Sequence, residues 1–218
     1  MPSRKAHTAE LAHHFVSYEQ QRESATLGMW TFLVTEILFF GGLFAAYIVY
    51  RVLYPHVFIE GSRHLDVKLG TINTVILISS SLTMAFAVRS AQLGRGKLSA
   101  VLLIATIVLG SVFLGIKFDE YHHKFAEHLI PGPGFRAAST DPRTLQLFFF
   151  LYFMMTGLHA VHMIIGIGLL AVVAVLAYRG YFTPQNHNFI EGCGLYWHFV
   201  DVVWIFLFPL LYLVGRHG

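Results

Sequence analysis

The chain has 218 residues, of which 56% are hydrophobic and only 12% charged, where a soluble domain carries about 25% charged residues. A mean hydropathy of +0.61 points to a polytopic membrane protein, and a net charge of +3 gives no sign of a nucleic-acid surface. Cys193 is the only cysteine, which excludes an internal disulfide and any multi-cysteine metal centre.

Residues 1–26 are polar, with Arg4, Lys5, Glu10, Glu19, Arg22 and Glu23, and contain no apolar core. They do not read as a cleaved secretory signal, so the mature chain is expected to begin here and the first membrane helix to direct insertion. That span is expected over about 27–50, closed by Arg51. A second follows over about 70–88, closed by Arg89, and a third over about 98–118, entered from Lys97. The fourth starts after Asp141-Pro142, an N-cap followed by proline at the first helical position, and covers about 145–178. A run of that length exceeds a hydrocarbon layer of about 30 Å and must tilt or project. The fifth covers about 190–214, with Pro209 expected to bend its last turns. The fold class is therefore all-α: a single transmembrane domain over 1–218, five helices, and a short polar N-terminal segment.

Lysine and arginine are nearly balanced between the two sides. Three of them, Arg89, Arg95 and Lys97, crowd one short loop, so the N-terminus is expected inside and the C-terminus outside. The longest connection, about 119–144, carries Pro131-Gly132-Pro133-Gly134 and is expected on the outer surface. Gly41 and Ala45, Gly42 and Ala46, and Ser79 and Thr83 give small-xxx-small spacing, the signature of close helix packing. No internal repeat is visible.

Chemistry concentrates in three places. Glu36 lies deep in the first span, in Phe32-Leu-Val-Thr-Glu-Ile-Leu-Phe-Phe40. It reads either as a proton-handling carboxyl or lipid or subunit contact, or as a protonated acid hydrogen-bonded across a helix interface. His159 and His162 share a face of the fourth span. Such a pair can bind metal or haem, or join an interhelical hydrogen-bond network. On the fifth span, Glu191, His198 and Asp201 fall within a sector of roughly 80°. They could complete either arrangement, and the mixed ligand types favour the network over a metal. Glu120 and Tyr121, at the end of the third span, are expected to join from the membrane edge, and His122 and His123 to face water. His7, His13, His14, His56, His64, His128 and His217 are scattered through polar segments, which is ordinary for surface histidines. Trp30, Trp197 and Trp204 read as interface or packing residues.

Several of these stretches resemble a known family. Tyr196-Trp-His-Phe-Val-Asp-Val-Val-Trp204 is similar to a signature of subunit III of the haem-copper terminal oxidases. So are Thr156-Gly-Leu-His-Ala-Val-His162, and Gly28-Met29-Trp30 through Thr35-Glu36 to Phe39-Phe40. Asn73-Thr74 and Glu120-Tyr121 fall in register with the family's pairs, and the resemblance spans about residues 24–215.

The resemblance implies an accessory membrane subunit of a proton-pumping oxidase in aerobic electron transport, itself without a catalytic or metal site. Haem and copper would reside in partner catalytic subunits, with subunit I as the main contact and other oxidase subunits nearby. It also implies bound phospholipid and a role in sustaining proton uptake and durability of the catalytic subunit. By position, Glu36 matches the family's reactive intramembrane carboxyl and Arg179 a basic position that meets a lipid phosphate. His159, His162, Glu191, His198 and Asp201 match an inner polar network, with Glu120 beside it.

Two departures stand out. The longer family form has two further N-terminal spans, so the lipid cleft they build would here need another protein or open bilayer. The 122–144 connection is also long for the family. Glu36 together with Glu191 favours the cytochrome c oxidase type, in a bacterial cytoplasmic membrane. Accessory subunits of quinol oxidase or nitric oxide reductase, and an autonomous proton or ion carrier, are the alternatives. Electron donor, haem type and membership of a larger respiratory assembly are not encoded in these motifs.

Overall fold

The computed structural model describes residues 17–136, 139, 141–182 and 187–214, and His7, His13, His14 and His217 lie outside them. Among the described residues the fold is all-helical, with α1 Tyr18–Leu53, α2 Pro55–Arg63, α3 Val67–Gln92, α4 Gly96–Ala126, α5 Pro142–Tyr178 and α6 Asn188–Tyr212. Five of these, all but α2, are long and apolar enough to cross a membrane.

The boundaries follow from local chemistry. Ser17 caps α1, its side chain accepting from the Gln20 amide, so the helix begins inside the segment expected to be merely polar. Asp66 accepts from the amides of Lys68 and Leu69 at the start of α3. Asp141 accepts from Thr144 N–H, with Pro142 at the first helical position of α5. The turn between α3 and α4 is made by Gly94 at φ 71°, and Gly180 at φ 75° follows α5, both in the left-handed region that glycine enters without steric cost.

Two features depart from the sequence reading. The helix α4 continues eight residues past the expected end at 118, to Ala126, which shortens the connection to α5 to 127–141. Hydropathy ends a span where charges begin, whereas a helix continues as long as its backbone bonds and side chains are satisfied. The short α2 was not expected. It packs Val57, Phe58, Gly61 and Ser62 inward against α5, and Ser139 Oγ donates to Glu60 at 3.0 Å to tie it to the connection between α4 and α5.

The helices α3 to α6 form a four-helix bundle, in which α3 packs on α4 and α6, and α5 on α4 and α6. The most apolar stretch of α6 is 50% buried, against 17% for that of α1. Thus α6 is the central helix, and α1 lies outside the bundle along α5 and α6. Its outward face carries Leu27, Ile37, Leu38, Val49 and Val52, all more than half exposed.

Between membrane helices, apolar surface gains nothing by leaving lipid, so contact rests on close packing and hydrogen bonds. The fully buried Trp197 supplies much of both. A Cβ added at Gly110 would meet its ring at 2.8 Å and one at Gly166 would meet it at 3.1 Å, while its indole N–H donates to Ser80 Oγ at 3.2 Å. Trp204 is likewise buried and donates to Thr74 Oγ1 at 3.1 Å, whereas Trp30 is 55% exposed. The small residues Gly41 and Gly42, expected at a helix contact, have no neighbour within 4 Å of an added Cβ. These two glycines lie on the outward face of α1, while Phe40, Leu43 and Phe44 of the same stretch pack on the bundle.

Candidate functional site

The sequence-predicted polar residues do not merge into one seam. They occupy separate positions along the bundle, because side chains sharing a helical face are still displaced by about 1.5 Å per residue along the axis. Glu191 and Asp201 are thereby about 15 Å apart in depth.

Glu191 sits in the first turn of α6, where a carboxylate suits the positive end of the helix dipole. Gln92 Nε2 donates to it at 2.7 Å, and His187 Nε2 lies 3.3 Å away. Arg89 reaches Gln92 at 3.3 Å. This group belongs to the same end of the bundle as Arg179, which is the exposed C-cap residue of α5.

Deeper in, Glu36 on α1 meets His162 on α5, with Oε2 3.1 Å from Nε2. The two side chains are only 19% and 15% exposed. His162 Nδ1 bonds the Leu158 carbonyl at 2.8 Å, so both ring nitrogens are engaged. Phe40 packs edge-on against this imidazole and Tyr196 stacks over it, while Tyr196 Oη donates to the His162 carbonyl at 3.0 Å. An acid and an imidazole in contact can exchange a proton, and their surroundings are aromatic rather than aqueous.

His159, one turn before His162, does not share this contact. It is 1% exposed, lies between the rings of Phe113 and Trp204 at 5.4 and 5.3 Å, and has no hydrogen-bond partner among the described residues. One imidazole is thus enclosed by aromatic rings and the other has both nitrogens engaged. Among the described residues, no group of three histidine, cysteine, aspartate or glutamate side chains is arranged to hold a metal ion.

On α6, His198 Nδ1 lies 2.7 Å from Ser81 Oγ on α3. Asp201, one turn further on, is buried and its carboxylate oxygens have no hydrogen-bond partner among the described residues.

Towards the other end, Glu120 is part of a closed cluster that the sequence reading missed. Lys117 Nζ donates to Glu120 Oε2 at 3.0 Å, to Tyr152 Oη at 3.2 Å and to Tyr212 Oη at 2.8 Å. Tyr152 and Tyr212 donate in turn to Glu120 Oε1 at 2.8 and 2.7 Å. The rings of Tyr121, Tyr152, Trp204 and Tyr212 surround the ammonium at 5.2 to 5.5 Å. Lysine and glutamate are each 3% exposed, so a fully paired ion pair is enclosed by aromatics. The signal was present as Lys117 and Glu120 three residues apart, but the expected span end at 118 placed the pair at the water boundary. Tyr121 instead bonds Thr156 on α5 at 2.5 Å, and His122 and His123 are exposed as expected.

The comparison with known families decides what this bundle is. The family model described as cytochrome c oxidase subunit III matches residues 8–216. The chain belongs to that family. It is 36% identical to cytochrome c oxidase subunit 3 of Thermostichus vulcanus, with 87% of each chain covered. It is 34% identical to quinol oxidase subunit 3 of Bacillus subtilis, covering 96% of this chain and 98% of the relative. The cytochrome bo(3) ubiquinol oxidase subunit 3 of Pseudomonas aeruginosa is 30% identical over 94% and 92%. As a member of the subunit III family, the chain is a multi-pass membrane protein and an accessory subunit of a haem-copper oxidase.

Proposed function

We propose that this subunit III docks on the catalytic subunit I of a cytochrome c oxidase-type complex and sustains its proton uptake and active lifetime, without catalysing any step itself. The observation that carries this reading is the Glu36–His162 contact, an acid–imidazole pair within the bilayer on a helix whose outer face is unpartnered among the described residues. The Glu36 carboxyl, turned towards His162 yet still 19% exposed, can hand protons to, or receive them from, a group on a neighbouring subunit that covers α1. Haem and copper belong to the partner subunits and supply the oxygen chemistry.

The enclosed Lys117–Glu120 cluster, together with the Glu191 and His198 contacts, has a structural part in this reading: each restricts the bundle to one arrangement. Arg179, exposed beside the loop that follows α5, meets a lipid phosphate at the inner surface. The N-terminus is cytoplasmic, the C-terminus is outside, and the membrane is the bacterial cytoplasmic membrane. Phospholipid covers the exposed apolar face of α1, and neighbouring oxidase subunits complete the complex. A quinol oxidase is the second reading, supported by the Bacillus subtilis relative, which this chain matches over nearly its full length.

Affinity purification of the tagged chain, followed by optical spectroscopy and subunit identification, tests the proposal. The expected result is co-purification with a haem-copper core, and no haem absorbance from the chain once separated. Stoichiometric haem or copper on the isolated chain would overturn it. So would proton flux by the pure protein in vesicles that disappears in Glu36→Gln, since that is the behaviour of an autonomous carrier. Reduction of the purified complex by cytochrome c or by quinol separates the two oxidase types.

A further inference from the structure

The Asp201 carboxyl, like the His159 imidazole, is buried without a hydrogen bond of ordinary geometry among the described residues, and only the Ser81 side chain lies beside it to interact with it. Asp201 is 3% exposed. It lies near the midpoint of α6, which runs Asn188–Tyr212, so it is on the order of 15 Å from either surface of a hydrocarbon layer. An unpaired carboxyl at that depth is costly and marks a site rather than an accident of packing.

Its surroundings are built like one. His198, one turn earlier on the same face of α6, is held by Ser81 on α3 through Nδ1 at 2.7 Å, which leaves Nε2 as the nitrogen available to a ligand. Ser81, His198 and Asp201 line one cleft between α3 and α6, with walls that include Leu77, Leu82, Val202 and Ile205. Leu82, Val202 and Ile205 are 57%, 46% and 45% exposed. The mouth of the cleft therefore opens on the lipid-facing surface of the bundle, not towards either aqueous side.

We propose that this cleft binds a neutral, hydroxyl-bearing lipophile that enters sideways from the bilayer. Its hydroxyl donates to the Asp201 carboxylate, and its oxygen accepts from His198 when Nε2 carries the proton. Other chemistries fit less well. A purely hydrocarbon occupant would leave Asp201 unpaired. A phospholipid headgroup is anchored at the interface, far from the midplane. A free anion would meet a carboxylate, and a metal cation would have to cross hydrocarbon and aliphatic walls to arrive. A molecule whose polar head dissolves in hydrocarbon satisfies all of these constraints. The hydroquinone head of a lipid-soluble quinol and the head of a long-chain alcohol share that chemistry. The inference stands apart from the role given to Glu36, which lies on a different helix pair.

The test is photolabelling of the intact purified complex with three probes that carry the same diazirine in a ten- to twelve-carbon tail. One is a decyl hydroquinone, one a long-chain primary alcohol and one the matching alkane. After illumination, digestion and mass spectrometry locate the label. The proposal expects at least one hydroxyl probe to label segments 77–85 and 198–205. It expects that labelling to fall at least tenfold with excess unlabelled parent compound, and the alkane to give no such saturable labelling. Whichever hydroxyl probe saturates at lower concentration identifies the source. Asp201→Leu, in complexes that retain all subunits, and Ser81→Ala should each lower the saturable fraction several-fold. The competition arm on the wild-type complex needs no variant. Labelling by both hydroxyl probes that is no more saturable than the alkane's would overturn the proposal. Equally effective competition by phosphatidylglycerol would do the same, because it would point to a headgroup ligand.

Discussion

His162 Nε2 lies 3.1 Å from Glu36 Oε2, joining α5 to α1. This is the polar contact that fastens α1 to the bundle within the bilayer, on a helix whose most apolar stretch is otherwise only 17% buried. His162→Leu should therefore loosen α1 selectively, since it leaves a carboxyl without its partner at a cost of about 1–3 kcal/mol. Hydrogen exchange in detergent should rise in α1 around Glu36 and stay unchanged in α4. Equal increases in both helices would mean that the histidine supports the whole bundle.

The Lys117–Glu120 pair makes a prediction of larger size. Lys117→Met leaves Glu120 charged, buried and short of a cation, and breaking a buried pair in this way costs about 3–5 kcal/mol. The thermal midpoint of the purified chain should fall sharply. The double variant Lys117→Met/Glu120→Gln should recover a substantial part of the loss, because no uncompensated charge remains. Additive losses from the two substitutions would show that the residues act independently.

Two glycines on α4 provide a matched comparison. A Cβ at Gly110 meets the Trp197 ring at 2.8 Å, whereas one at Gly115 meets nothing within 4 Å. Gly110→Ala should destabilise by about 1–3 kcal/mol through overpacking. Gly115→Ala should be neutral or stabilising by up to about 1 kcal/mol, from helix propensity alone. Thermal unfolding of the two variants side by side checks this, and similar shifts for both would contradict the packing described for Trp197.

At the start of α5, Asp141 accepts from the Thr144 hydroxyl and from the Thr144 amide. The hydroxyl bond first, then the backbone bonds, hold its carboxyl below its ordinary value of 3.8. Because the folded value is the lower one, the contribution of Asp141 to stability is fully present above about 3.8 and is lost as pH falls through the depressed value. Asp141→Asn should consequently show a shallower decline in thermal midpoint than wild type below pH 4, and no difference in slope between pH 6 and 8. Parallel slopes in acid would remove this carboxylate from the account.

The apolar runs made the five spans legible, and Asp141-Pro142 marked the start of α5 because cap and proline chemistry is local. The ends of α1 and α4 were not legible in the same way. Their polar turns look like loops until Ser17 caps the one and Tyr152 and Tyr212, distant in sequence, enclose the lysine of the other. The face shared by Glu191, His198 and Asp201 was readable as an angle. Depth along the axis, and the partners Gln92 and Ser81 on α3, were not. Gly41 and Gly42 had the spacing of a contact without a neighbour, while Gly110 and Gly166 had neither repeat nor motif and lie under Trp197. Which small residues touch depends on how the helices cross, and that is set by the largest side chains between them.

The central claim is that Glu36 serves the partner subunit rather than only the fold of this one. The most direct measurement is the number of turnovers the purified oxidase completes before inactivation, compared among wild type, Glu36→Gln and Glu36→Ala complexes of equal subunit content. If the ionisable carboxyl is what matters, both variants assemble, start at comparable rates and inactivate several-fold sooner, with glutamine no better than alanine. Wild-type lifetimes in Glu36→Gln would reduce Glu36 to a hydrogen-bonding contact for His162, and wild-type lifetimes in both variants would contradict the functional role altogether.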